Sequence, residues 1–99
     1  MEAETEAASI PNRRTFAKRC RKIRRALGER EIDLGATGSQ DNNKLVSLLK
    51  CESRARRKCE DVSKRYAQCH AAIMGVGMFK GKRNCRNELA SWLQCVTTP

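Results

Sequence analysis

Six cysteines, at 20, 51, 59, 69, 85 and 95, are the residues of this 99-residue sequence whose type and spacing could do chemistry. Cys59 and Cys69 are separated by nine residues, and so are Cys85 and Cys95. Cysteine serves as a metal ligand, a redox centre or a crosslink, and each use has its own spacing. Zinc sites pair cysteines two to four residues apart, so that both thiolates face one ion. Thiol–disulfide catalysis works through close pairs such as C-x-x-C. Neither spacing occurs here. His70 directly follows Cys69, but adjacent helical residues point about 100° apart, so it is expected at the surface of a hairpin tip. It is the sole histidine, the acids are scattered, and no glycine-rich phosphate loop of known spacing is present. The expectation is a chain that is not an enzyme, with no metal, no cofactor and no small-molecule substrate.

Plain buried free cysteines and crosslinks remain; two equal spacings on two apolar stripes favour crosslinks, which require elements that hold the pairs. Ten helical residues advance about 15 Å and turn the second side chain by only about 80°. Leu48, Ala55, Cys59, Val62, Tyr66, Cys69 and Ile73 share one helical face, broadened at its start by Leu45 and Leu49. Glu52 interrupts that stripe. The pattern predicts a helix over about 43–73, bent or interrupted near Glu52. Gly75, Gly77 and Gly81 then break the chain, and Asn84 offers a cap. Cys85, Leu89, Trp92 and Val96, with Leu93 beside them, predict a second helix over about 85–96. Packed antiparallel, the two helices bring Cys69 beside Cys85 near the turn and Cys59 beside Cys95 at the far end. Four cysteines allow three connectivities. A bond within one helix would span about 15 Å, far beyond disulfide reach, and a crossed pairing fails the same test. The nested pairing is left: Cys59–Cys95 and Cys69–Cys85. Each bond contributes about 2–4 kcal/mol. That matters in a short chain with 39% hydrophobic and 4% aromatic residues, whose core is thin. No run approaches the roughly 18 apolar residues of a membrane span.

The N-terminal part divides by charge. Glu2, Glu4 and Glu6 make an acidic tip without the features of a cleavable targeting segment. Residues 13–30 then hold Arg13, Arg14, Lys18, Arg19, Arg21, Lys22, Arg24, Arg25 and Arg30 against Glu29, most of the net charge of +10. Phe16, Cys20, Ile23 and Leu27 form a narrow apolar stripe within this block. It predicts a basic amphipathic helix over about 12–27, started near Pro11 and Asn12 and stopped at Gly28. Residues 29–43 read as a linker, with Asp41, Asn42 or Asn43 capping the helix after it, and both 1–12 and 29–43 are expected to be flexible alone. The division is 1–43 (acidic tip, basic helix and linker) and 44–99 (helical hairpin).

RNA phosphate, an anionic lipid surface and acidic protein subunits all suit such a basic arm. The stripe is too narrow for deep membrane insertion, which favours docking onto a large assembly. A second candidate contact is the tip loop, where Met74, Val76, Met78 and Phe79 either meet a partner or fold back on the hairpin. Cys20 reads first as a small buried apolar residue and Cys51 as a free thiol on the helix. A Cys20–Cys51 bond pinning the arm to the hairpin is the alternative, and the sequence leaves it open.

The segments C-E-D-V-S-K-R-Y-A-Q-C (59–69) and C-R-N-E-L-A-S-W-L-Q-C (85–95) together resemble a twin C-x9-C, or CHCH, domain. Tyr66 before the second cysteine and the Cys85-Arg86 pair resemble the COX assembly mitochondrial protein family. The resemblance covers about 51–96. The 15-residue connection between Cys69 and Cys85 is longer than that family suggests, and the basic arm lies outside the match. What the resemblance implies is an all-α, disulfide-stapled antiparallel hairpin (coiled-coil-helix-coiled-coil-helix) in mitochondria. It implies import without a presequence and oxidation by the disulfide relay of the intermembrane space. Val62, Tyr66 and Cys69, or Leu89, Trp92 and Cys95, would form the import face, and the same residues read as hairpin core. Copper handling by relatives does not carry over, because no adjacent-cysteine pair is present. The implied role is an accessory subunit or assembly factor of a respiratory-chain complex of the cytochrome c oxidase type, in the intermembrane space or at the inner membrane. The charge offers an alternative, a structural subunit of the mitochondrial ribosome in the matrix with its arm on rRNA.

Overall fold

The computed structural model describes residues 7–9, 16–29 and 31–98. The elements run β1 (Ala7–Ser9), a 3-10 turn (Lys18–Cys20) leading into α1 (Arg21–Leu27), β2 (Glu31–Asp33), α2 (Gln40–Arg56), α3 (Glu60–Val76) and α4 (Arg86–Thr97). The fold is mostly helical, and three disulfides staple its helices together.

α3 and α4 form the expected hairpin, with α4 at the centre of the molecule. One side of α4 packs on α3 and another on α2. Leu89, Trp92 and Val96, at helical spacing, are all buried there. The Trp92 ring lies 5.6 Å from that of Tyr66 on α3, and its indole N–H donates to Ser53 Oγ on α2 at 3.0 Å. A buried indole N–H needs such an acceptor.

The single long helix predicted over 43–73 is two helices. Its break is not at Glu52, which lies wholly buried inside α2, but at residues 57–59. Arg57 and Cys59 take left-handed φ values of 55° and 68°. For non-glycine residues this conformation costs about 1–2 kcal/mol each. Two contacts compensate: the amides of Arg57 and Lys58 both return to the Ser53 carbonyl, and the Cys59 sulfur is bonded to Cys95. The Lys58 ammonium also donates to the Thr98 carbonyl, tying the turn to the end of α4.

The basic arm is shorter than its predicted span. Ala17 is extended, helical geometry begins only at Lys18, and residues 12–15 lie outside the described residues. Its apolar stripe behaves as expected: Phe16, Cys20 and Leu27 are buried and Ile23 packs on the same core. Gly28, at φ +79°, ends the helix with its N–H on the Arg25 carbonyl.

Residues 31–43, expected as linker, are structured. β2 pairs antiparallel with β1, Ala8 opposite Ile32, and buries Ile32 and, just beyond it, Leu34. The cap of α2 is Ser39 rather than the acid or amides at 41–43. Ser39 Oγ accepts the Asn42 N–H at 3.1 Å. Asn42 instead sits buried one turn into α2 and donates from Nδ2 to the Asp33 carbonyl at 2.7 Å. A short polar side chain ahead of the helix reaches the free amides of its first turn, which left the Asn42 amide for the strand. The arm, β2 and the hairpin therefore share one core, and a boundary at 43 falls inside α2. Among the described residues, no helix is long and apolar enough to cross a membrane.

Candidate docking surface and its disulfide frame

The nested pairing is present. Cys59–Cys95 and Cys69–Cys85 join α3 to α4 at its two ends, with Cα–Cα distances of 6.0 Å and 5.9 Å. The reading of Cys20 as a plain buried side chain and Cys51 as a free thiol is corrected. The two are bonded, Cα–Cα 5.8 Å, and all six cysteines are paired. The cause is the arm's stripe: its fourth-residue periodicity aims Cys20 inward at α2, where Cys51 stands. An even cysteine count, with Cys20 on the arm's apolar stripe and Cys51 one helical turn from Leu48 and from Ala55, was the available signal.

Three consecutive residues of α2 hold the rest of the chain. Cys51 carries the bond to Cys20. Glu52 Oε1 accepts the Ala17 N–H at 2.8 Å, and its Oε2 pairs with Arg56. Ser53 receives Trp92. Successive helical side chains point about 100° apart, so this one turn reaches the arm on one side and α4 on another.

The predicted basic site divides. Arg13 and Arg14 lie outside the described residues. Lys18, Arg19, Arg21, Lys22 and Arg25 are exposed. Arg24 is not part of that surface: it is 6% exposed, and its guanidinium donates to the Gly28 carbonyl at 2.8 Å. Sequence reasoning missed a second run, Lys50 to Lys58, with Lys50, Arg54, Arg56, Arg57 and Lys58 against the single acid Glu52. Glu52 is buried and its charge is met by Arg56, which leaves Lys50, Arg54, Arg57 and Lys58 to set the surface charge. Lys50, Arg54, Arg57 and Lys58 line a groove of about 520 Å³ where α2 turns into α3. Lys50 and Arg54 also line a second groove of about 470 Å³ with Arg19 of the arm. The Cys20–Cys51 bond thus sets the arm's cations beside those of α2, and the two runs form one basic surface.

The tip loop also divides. Met74, Val76 and Met78 are exposed, at 53%, 79% and 46%. Phe79 folds back against the core, in a turn closed by its paired hydrogen bonds with Lys82. Met74 reaches across to Gly38, where an added Cβ would stand 3.1 Å from its Cε.

No family model, curated protein or solved structure matches this chain. The helical fold and its disulfides are compatible with a CHCH-like domain.

Cys69, Cys85 and Glu88 are the one cluster of potential metal ligands among the described residues. Both sulfurs are joined in a disulfide and present no thiolate to an ion. His70 is half-buried, its ring 5.8 Å from that of Tyr66. The Tyr66 hydroxyl is buried without a hydrogen-bond partner among the described residues, and burial pushes its phenol above the ordinary value.

Proposed function

We propose that this chain is a non-enzymatic twin C-x9-C protein of mitochondria that docks on a large assembly, as an accessory subunit or assembly factor of a respiratory-chain complex of the cytochrome c oxidase type. One observation carries the reading: two nine-residue cysteine intervals joined as the nested pairs Cys59–Cys95 and Cys69–Cys85. Such bonds persist where oxidation is maintained and are rare in reducing cytosol. A disulfide relay in the intermembrane space would install them. Docking is the role that suits the rest of the surface. The exposed bases lie on a frame tied down by a disulfide, and the Met74–Met78 tip is apolar and uncovered.

A second reading, a structural subunit of the mitochondrial ribosome, is favoured by the merging of the 18–25 and 50–58 bases into one surface. Clustered Lys and Arg bind phosphate backbones without reading sequence. A lipid-inserting arm is disfavoured, since Phe16, Cys20 and Leu27 face the protein core.

Affinity purification from mitochondria with mass spectrometry separates these roles. Co-purification with respiratory subunits from detergent extracts, and accumulation that falls when the disulfide relay is depleted, is the expected result. Co-sedimentation with ribosomal particles would transfer the assignment to the second reading. Steady accumulation in reducing cytosol would overturn both.

A further inference from the structure

The helices are arranged unevenly: α4 packs against both α2 and α3, while α2 and α3 scarcely touch each other. An open cleft runs between them. At its junction end it is the 520 Å³ groove walled by Lys50, Arg54, Arg57 and Lys58, with Glu60 as the single acid. It continues into a further 310 Å³, and Lys50 and Ser63 line both parts. The continuation has a different chemistry, with Val46, Tyr66 and Trp92 among its lining. One end of the cleft is cationic and the other has an apolar floor.

We infer that the α2–α3 cleft is the seat of an acidic amphipathic helix from a protein partner. The inference rests on the proposed docking role and names the partner's chemistry. From Asn43 to Arg57 the α2 wall is about 21 Å long, the length of a helix of about 14 residues. Such a helix would lie over α4 as the fourth of a bundle, its apolar stripe on Val46 and Ala67 above the buried Tyr66 and Trp92 rings, its carboxylates on Lys50, Arg54 and Arg57. Other occupants fit less well. A second copy of this chain, at +10, would bring like charge to a basic wall. A lipid surface is flat where this site is concave. RNA would use the cations, but the aromatic rings here lie at the cleft floor and are not displayed as stacking platforms, and phosphate has no use for the apolar end.

Trp92 is the only tryptophan in the chain, so its emission reports on the cleft in the full, oxidised protein. The probe is a synthetic helical peptide of about 16 residues, with Glu on one face and Leu on the other. Controls are its Lys-for-Glu counterpart, poly-glutamate and a single-stranded RNA oligonucleotide. The Glu/Leu peptide should shift Trp92 emission saturably, and the Lys peptide should not. Lys50→Glu/Arg54→Glu should weaken binding at least about tenfold. Val46→Asp should weaken it several-fold, and Ser47→Glu, on the exposed face of α2, does the same without touching the core. Circular dichroism confirms that each variant is folded. Three results would overturn the inference: no emission change with the Glu/Leu peptide, equal affinity for poly-glutamate or RNA, or full affinity retained in both folded Lys50→Glu/Arg54→Glu and folded Ser47→Glu. None of these bears on which assembly co-purifies with the chain, so the docking role and the cleft stand or fall separately.

Discussion

The Ala17 N–H donates to the Glu52 carboxylate at 2.8 Å, across 35 positions of sequence. Glu52 is wholly buried, and its other oxygen pairs with Arg56. A buried carboxylate is costly unless it is paired and hydrogen-bonded. Here Glu52, next to Cys51, receives the amide at the point where the arm turns helical, three residues before Cys20. The residue that looked like a defect in an apolar stripe is the arm's anchor.

Glu52→Ala is expected to lower stability by about 3 kcal/mol, since it leaves the Ala17 amide without its acceptor and removes the buried carboxylate that pairs with Arg56. Glu52→Gln keeps one acceptor oxygen and should cost less. Urea unfolding of both variants checks the order; equal losses would show that the carboxylate charge, which both variants lack, sets the effect, since Gln keeps both the volume and an acceptor oxygen.

Intact mass spectrometry with alkylation should find all six thiols blocked without reductant and all six open after reduction. Replacing Cys20 and Cys51 together by Ser should cost about 2–4 kcal/mol. It should also raise proteolysis of the arm while leaving Cys59–Cys95 and Cys69–Cys85 formed. An arm that stays protected would assign its position to Glu52 and the apolar stripe alone.

Gly38 is held at φ +94° with Met74 lying over it. Gly38→Ala should destabilise by about 1–2 kcal/mol, part from the backbone and part from the 3.1 Å approach. Adding Met74→Ala should recover only the second part. Thermal unfolding of the two variants measures each share.

Tyr66 sets an alkaline limit. Burial raises its folded phenol pKa above the ordinary value, so the neutral form is the one the fold favours. Its contribution is complete below the unfolded tyrosine pKa of about 10 and is lost as pH rises through the higher folded value. Because Tyr66 is the only tyrosine, phenolate absorbance follows it directly. The folded protein should titrate above the unfolded one, and Tyr66→Phe should flatten the alkaline loss of stability. Coincident titrations would remove Tyr66 from the account.

Local pattern was enough for much of this molecule. The steps of three and four from Val62 to Ile73 and from Cys85 to Val96 specify two amphipathic helices, because side chains three or four apart share a face. The equal cysteine intervals then permit one pairing, because a disulfide closes over only a few ångströms. Other features depend on contacts between distant segments, and no local period encodes those. The helix break moved from Glu52 to residues 57–59 because Glu52 has a partner 35 positions away and Cys59 is held by Cys95. Cys20 became a crosslink because its helix lies on α2 at Cys51. Arg24 left the basic surface and Lys50, Arg54, Arg57 and Lys58 joined it, since charge along the chain says nothing of which cations a fold buries or brings together. The helices and the two nested bonds were thus local matters; the arm's seat, the basic surface and the cleft exist only once α1, α2, α3 and α4 are packed.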